Sequence, residues 1–97
     1  IRLIILHYKE ERTVAFYARE LCLTPKYLSS VVKKTTNRTV TEWINETVVL
    51  DAKTQLKSSQ MTVQQIANYL NFPTPSFFGR FFKKHTGMTP KAYRLSE

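Results

Sequence analysis

Apolar residues recur along this chain at helical spacing. Phe78, Phe81 and Phe82 fall at i, i+3 and i+4, with Ser76, Gly79, Arg80 and Lys83 roughly on the opposite side. Leu28, Val31 and Val32 form an earlier stripe of the same kind, and Trp43, Ile44, Val48, Ala52 and Leu56 form a longer one. No stretch between turn markers alternates apolar with polar, so strand signals are absent. The stripes are bounded by caps and stops. Thr24-Pro25, Thr74-Pro75 and Thr89-Pro90 each pair a capping hydroxyl with a proline whose missing N–H costs nothing at the first helical position. Thr39 to Glu42 and Thr62 to Gln65 have capping-box form. Asn37 and Gly87 are residues that tolerate the left-handed conformation ending a helix.

These signals predict an all-α fold of seven helices joined by short loops. The first runs from Ile1 to about Glu11, with Leu3 or Ile4, His7 and Tyr8 on its apolar face. The second, capped by Thr13, runs from Val14 to Cys22 and turns Val14, Tyr17, Ala18 and Leu21 inward. The third starts at Pro25 and stops at Asn37. The fourth runs to about Ser58 and spans roughly 27 Å at 1.5 Å per residue. The fifth carries Ile66, Ala67 and Leu70, the sixth lies between Thr74 and Gly87, and a short seventh follows Pro90 through Tyr93. Ile1 to Glu11 reads as the interior of a helix, so a preceding part of a longer protein is expected.

The chain also repeats itself. At an offset of 50 residues Thr24-Pro25 matches Thr74-Pro75, Lys33-Lys34 matches Lys83-Lys84, Thr36 matches Thr86, Thr39 matches Thr89 and Trp43 corresponds to Tyr93. At an offset of 49, Ala18 matches Ala67 and Leu21 matches Leu70. The repeated unit is helix, tight turn, helix. The small alanine lets the second helix cross closely. The leucine fills the space before the turn, Cys22 or Asn71 sits at the bend, and Leu23 or Phe72 plugs it. Leu28 with Val31, or Phe78 with Phe81, closes the core. Residues 1–97 therefore form one domain: a first helix-turn-helix module to about residue 40, a linker helix over 41–58 and a second module over 59–97.

Charge adds a partner class. Lys and Arg number 15 against 7 Asp and Glu, a net +8. No acid occurs between Glu20 and Glu42, or between Asp51 and Glu97, where the bases concentrate. Basic charge gathered on chosen segments suits a polyanion. The single cysteine, Cys22, cannot form an intrachain disulfide, which fits a reducing compartment and a cytoplasmic location. It is expected to be a small core residue. No apolar run approaches 18 residues and no signal-peptide pattern is visible, so no membrane partner is expected. The acids are scattered and His7 and His85 are isolated, so neither an enzyme nor a metal or cofactor site is expected.

The second half, IANYLNFPTPSFFGRFFKKHTGMTPKAYR over Ile66 to Arg94, resembles the DNA-binding domain of the AraC/XylS transcriptional regulators. The family pattern there is Ile-Ala, Gly-Phe at the turn, Ser-x-Phe-x-Arg-x-Phe-Lys, Thr-Gly-x-Thr-Pro and Tyr-Arg. ARELCLTPKYLSSVVKKTTNRTVTEWI matches a weaker first motif, and the likeness extends from about Val14 to Arg94. It implies a seven-helix, two-module binder of promoter DNA with a long linker helix. It also implies an effector or dimerisation domain elsewhere in the same chain, with RNA polymerase as a further partner. Asn71 and Cys22 replace the usual turn glycines, Asn37 replaces the glycine ending the first recognition helix, and Val48 stands where the family often has Arg. Asn still accommodates positive φ, whereas Cys suggests a different backbone angle at residue 22.

The exposed N-terminal and central face of a recognition helix reads bases. In the second module that face is Ser76, Gly79, Arg80 and Lys83, with Arg80 aligning with the family's arginine and suited to guanine O6/N7. In the first it is Lys26, Ser29, Ser30 and Lys33, where serines specify less. Thr24, Lys34, Arg38, Thr74 and Lys84 are the expected phosphate contacts. Phe77 suits either a thymine methyl or the core, with the core favoured, and Trp43 and Tyr93 are assigned to the core between the modules. A rigid linker helix would set both recognition helices in successive major grooves, roughly 34 Å apart. The alternative is a basic helical module for RNA or an acidic protein.

Overall fold

The computed structural model describes residues 1–97 and contains seven helices and no strand. They are α1 (Arg2–His7), α2 (Val14–Glu20), α3 (Pro25–Thr36), α4 (Val40–Ser58), α5 (Val63–Tyr69), α6 (Pro75–Thr86) and α7 (Pro90–Leu95). The chain divides into two compact units, Ile1–Thr47 and Val48–Glu97, and the division falls inside α4.

In the first unit Ile4, Tyr17, Ala18, Leu28, Val40 and Ile44 form the buried core, and Leu3, Tyr8, Val14, Phe16, Val32 and Trp43 pack around it. The Tyr17 hydroxyl donates to the Glu11 carbonyl at 2.8 Å. Burial, with Glu11 nearby, pushes that phenol above its ordinary pKa. α1 is shorter than the sequence pattern suggests. It ends at His7, and the Arg12 Nε donates to the Tyr8 carbonyl at 2.6 Å, occupying a carbonyl that a longer helix would pair with a backbone amide.

α2 also ends early, at Glu20, because the turn that follows is a Schellman closure. Leu23 N–H donates to Ala18 O at 2.8 Å and Cys22 N–H to Arg19 O at 3.1 Å. The second unit repeats it: Phe72 N–H donates to Ala67 O at 2.9 Å and Asn71 N–H to Asn68 O at 3.0 Å. This closure needs one left-handed residue, and it falls on Cys22 at φ 58° and Asn71 at φ 62°. The expectation of a different angle at Cys22 is therefore wrong, since the hydrogen bonds of the turn fix the backbone whatever the side chain. Cys22 is also exposed rather than a core residue, because a left-handed residue at the bend points its side chain to solvent.

The second unit is the better filled. Ile66, Ala67, Leu70, Phe72, Phe78 and Phe82 are buried with Val48, Val49, Ala52 and Leu56 of α4. Phe72 sits among aromatic rings, with centroids 5.1 Å from Phe78 and 5.0 Å from Phe81. Phe82 meets Tyr93 edge-on at 5.5 Å. The Arg94 Nε donates to Leu56 O at 2.9 Å, fastening α7 to a carbonyl in the last turn of α4.

The first unit lacks those rings. Leu21 is 47% exposed where Leu70 is 0%. Leu23 and Val31, expected inside, are also exposed. Aliphatic side chains replace phenylalanine here and do not close the space, leaving an apolar groove of about 480 Å³ lined in part by Ile4, Leu21, Leu28, Val31 and Trp43.

Candidate nucleic-acid interface

The 50-residue repeat survives at the level of individual hydrogen bonds. Thr24 Oγ1 accepts from Tyr27 N–H at 3.1 Å, and Thr74 Oγ1 accepts from Phe77 N–H at 3.0 Å. Pro25 and Pro75 bring no N–H to the first turn, and the N–H groups of Lys26 and Ser76, at the second helical position, lie outside the intrahelical ladder. At the other end Asn37 (φ 63°) and Gly87 (φ 82°) close the helices, donating to Lys33 O at 2.9 Å and Lys83 O at 2.8 Å. Thr36 Oγ1 donates to Val32 O and Thr86 Oγ1 to Phe82 O, both at 2.8 Å. In the first unit the Trp43 indole adds a donation to Thr36 Oγ1 at 2.9 Å.

On this frame α3 buries Leu28 and half-buries Val32, while α6 buries Phe78 and Phe82 and half-buries Phe81. The outer faces carry the candidate residues. Lys26, Ser30 and Lys33 are exposed on α3 and Ser29 is half-buried; Ser76, Arg80 and Lys83 are exposed on α6 and Gly79 is half-buried. A Cβ added at Gly79 would meet no atom within 4 Å, so nothing inside the chain requires a glycine there. Thr24, Lys34, Thr74 and Lys84 are exposed. Arg38 is exposed too, but its guanidinium pairs with the Glu46 carboxylate and lies 5.3 Å from the Trp43 ring centre. It is the phosphate candidate most engaged within its own unit.

The lysine pairs end their helices. Lys33 and Lys34 fall in the last turn of α3, and Lys83, Lys84 and His85 in that of α6. There they offset the negative end of the helix dipole. His85 packs against Phe81 at 4.6 Å. Partial burial and the neighbouring Lys84 hold its pKa below the ordinary histidine value, which favours the neutral ring. No group of three His, Cys, Asp or Glu side chains is placed to hold a metal.

Two exposed residues escaped the sequence reading. Phe77, assigned preferentially to the core, is 49% exposed, with the Arg80 guanidinium 5.6 Å from its ring centre. Tyr27, its partner in the repeat, is 58% exposed. The offset of 50 pairs the two, which is the signal that could have found Tyr27. Phe77 was obscure because it lies next to the stripe and one turn before Phe81. Trp43 and Tyr93 are half-buried, each held within its own unit.

Comparison with known proteins agrees with this architecture. A helix-turn-helix domain family matches residues 17–96. An uncharacterised helix-turn-helix transcriptional regulator of Escherichia coli, YijO, is 33% identical over 93% of this chain and 34% of its own length. The arabinose operon regulatory protein of Escherichia coli is 28% identical over 84% of this chain and 28% of its own length. Among solved structures, the DNA-binding domain of AdpA, a global transcriptional factor in complex with a target DNA, shares the fold at a TM-score of 0.85, with 22% identity over 96% of this chain and 84% of that one. The chain thus spans about a third of the length of these curated relatives. With its paired helix-turn-helix units and the match over residues 17–96, the chain belongs to the helix-turn-helix domain family of the AraC/XylS transcriptional regulators.

Proposed function

We propose that this domain regulates transcription by reading double-stranded DNA with α3 and α6, each in a major groove. The observation that carries the reading is the twofold occurrence of one surface. A threonine-capped, proline-initiated helix buries its apolar stripe, leaves its outer face free and ends in a lysine pair. Arg80, Lys83, Ser76 and Gly79 read bases from α6, and Lys26, Ser29, Ser30 and Lys33 from α3. Thr24, Lys34, Arg38, Thr74 and Lys84 hold phosphates, as do the uncapped N–H groups of Lys26 and Ser76. The two helices are assigned to successive major grooves. The names of the relatives and the DNA complex of AdpA support this reading.

The domain acts by binding rather than by catalysis, in the cytoplasm; no helix is long and apolar enough to cross a membrane. In the whole protein an effector or dimerisation domain gates it, and RNA polymerase is the downstream partner. The length of the curated relatives supports the additional domain.

The test is selection from random duplexes, then titration of the winner at increasing salt. A contact set of six to ten phosphates predicts a loss of about 10³–10⁵ in affinity between 50 and 200 mM salt. A footprint of nearly two helical turns is expected. Salt-insensitive, sequence-blind binding, or tighter binding to RNA or to an acidic protein, overturns the proposal.

A further inference from the structure

Phe77 and Tyr27 stand at the third position of their helices, each with its N–H capped by a threonine hydroxyl. Neither ring is consumed by the core below it, where Phe78 and Leu28 are buried instead. The ring of Phe77 leans on Phe72 with centroids 6.4 Å apart, and Arg80 lies over it at 5.6 Å. Half of this large apolar side chain therefore faces water among cations. Protein partners chosen by charge would not cover it, but a DNA base edge presents both kinds of group.

We propose that Phe77 is a specificity-determining residue that packs its ring on a thymine 5-methyl group beside the base pair that Arg80 reads. The inference rests on the DNA-reading function proposed above. Three residues along a helix advance about 4.5 Å and rotate about 300°, which places Phe77 and Arg80 about 60° apart on one face. Base pairs stack roughly 3.4 Å apart, so the two side chains address neighbouring steps. The thymine methyl is the apolar mark of the major groove, and phenylalanine is among the side chains that contact it. Stacking on Phe77 also fixes the plane of the Arg80 guanidinium before binding, which favours a bidentate approach to guanine. The first unit lacks this pair, since Ser30 occupies the position equivalent to Arg80 beside Tyr27.

The test uses the selected duplex with each thymine replaced in turn by uracil, which removes only the methyl group. Wild-type protein should lose about fourfold in affinity at one thymine, the worth of a single buried methyl. That thymine should lie within about two base pairs of the guanine to which Arg80→Ala becomes indifferent. Phe77→Ala should bind the parent duplex more weakly, ignore that uracil and keep the wild-type salt slope, whereas Phe77→Tyr should keep the sensitivity. Wild-type indifference to every uracil, or undiminished sensitivity in a folded Phe77→Ala, overturns the proposal. The uracil scan on wild-type protein decides even if the alanine variant fails to fold. Failure of wild-type protein to prefer any duplex is a different result and overturns the DNA reading itself.

Discussion

Cys22 and Asn71 lie 49 residues apart in the sequence and share one left-handed backbone state, φ 58° and 62°. Each is the single left-handed residue of its helix-turn-helix bend. For an L-residue this conformation costs about 1–2 kcal/mol, and Asn relieves part of it by local hydrogen bonding. Cys22→Gly should therefore stabilise the first unit by about 0.5–1 kcal/mol after the entropy of the added glycine is subtracted. Asn71→Gly should be near neutral. Urea unfolding followed by circular dichroism compares the two, and a destabilised Cys22→Gly would show that strain at this bend is not the controlling quantity.

Much of the architecture was legible because its local signals are strong. Caps, stops and the Lys-Lys register located α3 and α6, and the capping boxes located the starts of α4 and α5. The extent of α1 was not, because apolar periodicity does not show that a side chain four residues on, Arg12, takes the Tyr8 carbonyl in place of a backbone amide. Burial of Leu21 and Val31 was read from periodicity and that of Leu23 from its place after the bend, and neither signal tells whether the opposite wall is large enough to close. Phenylalanines supply that wall in the second unit and aliphatic residues do not in the first. The exposure of Phe77 has the opposite origin, since Phe72 and Phe78 already fill the space beneath it.

Thr36 and Thr86 are equivalent in the repeat but not in consequence. Both hydroxyls bond the preceding turn and accept from the residue two positions on, at 3.3 Å from Arg38 N–H and 3.2 Å from Met88 N–H. Only Thr36 also accepts from an indole. Thr36→Val keeps the shape but orphans the half-buried Trp43 Nε1, so a loss of about 1–3 kcal/mol is expected. Thr86→Val should cost about 1 kcal/mol. Equal losses in paired unfolding curves would remove the indole bond from the account.

The two capping boxes differ in one way that pH can read. Thr39 N–H donates to Glu42 Oε1 at 2.7 Å, and Thr62 N–H donates to Gln65 Oε1 at 2.8 Å. The hydrogen bonds from Thr39, helped by Lys33 and Arg38, hold the Glu42 carboxyl below its ordinary pKa. A depressed folded-state pKa means that the stabilisation is present above the unfolded value and is lost as pH falls through the folded one. Stability should thus decline on acidification below the ordinary glutamate range, and Glu42→Gln should flatten that limb while leaving the box in place. Gln65→Glu should install a comparable acid limb in the second unit. Melting temperatures from pH 3 to 7 check both, and an unchanged acid limb in Glu42→Gln would assign it to other carboxylates.

Arg80 and Lys84 are near neighbours on the face of α6 and should nonetheless fail differently. Arg80 lies over Phe77, which restricts where its planar fork can go. Lys84 lies in the last turn, where a mobile ammonium group serves any phosphate. Arg80→Ala should cost about 1–3 kcal/mol on the selected duplex, with preference lost at one base pair. Lys84→Ala should weaken every duplex about equally and reduce the salt slope by about 0.9. Arg80→Lys separates geometry from charge: it should keep the salt slope but lose the base preference, because an ammonium cannot make the bidentate pair. A panel of single-base variants titrated at two salt concentrations reads all three outcomes. If Arg80→Ala and Lys84→Ala give parallel losses across that panel, Arg80 holds a phosphate and base reading by α6 must be reassigned to Ser76, Gly79 and Lys83.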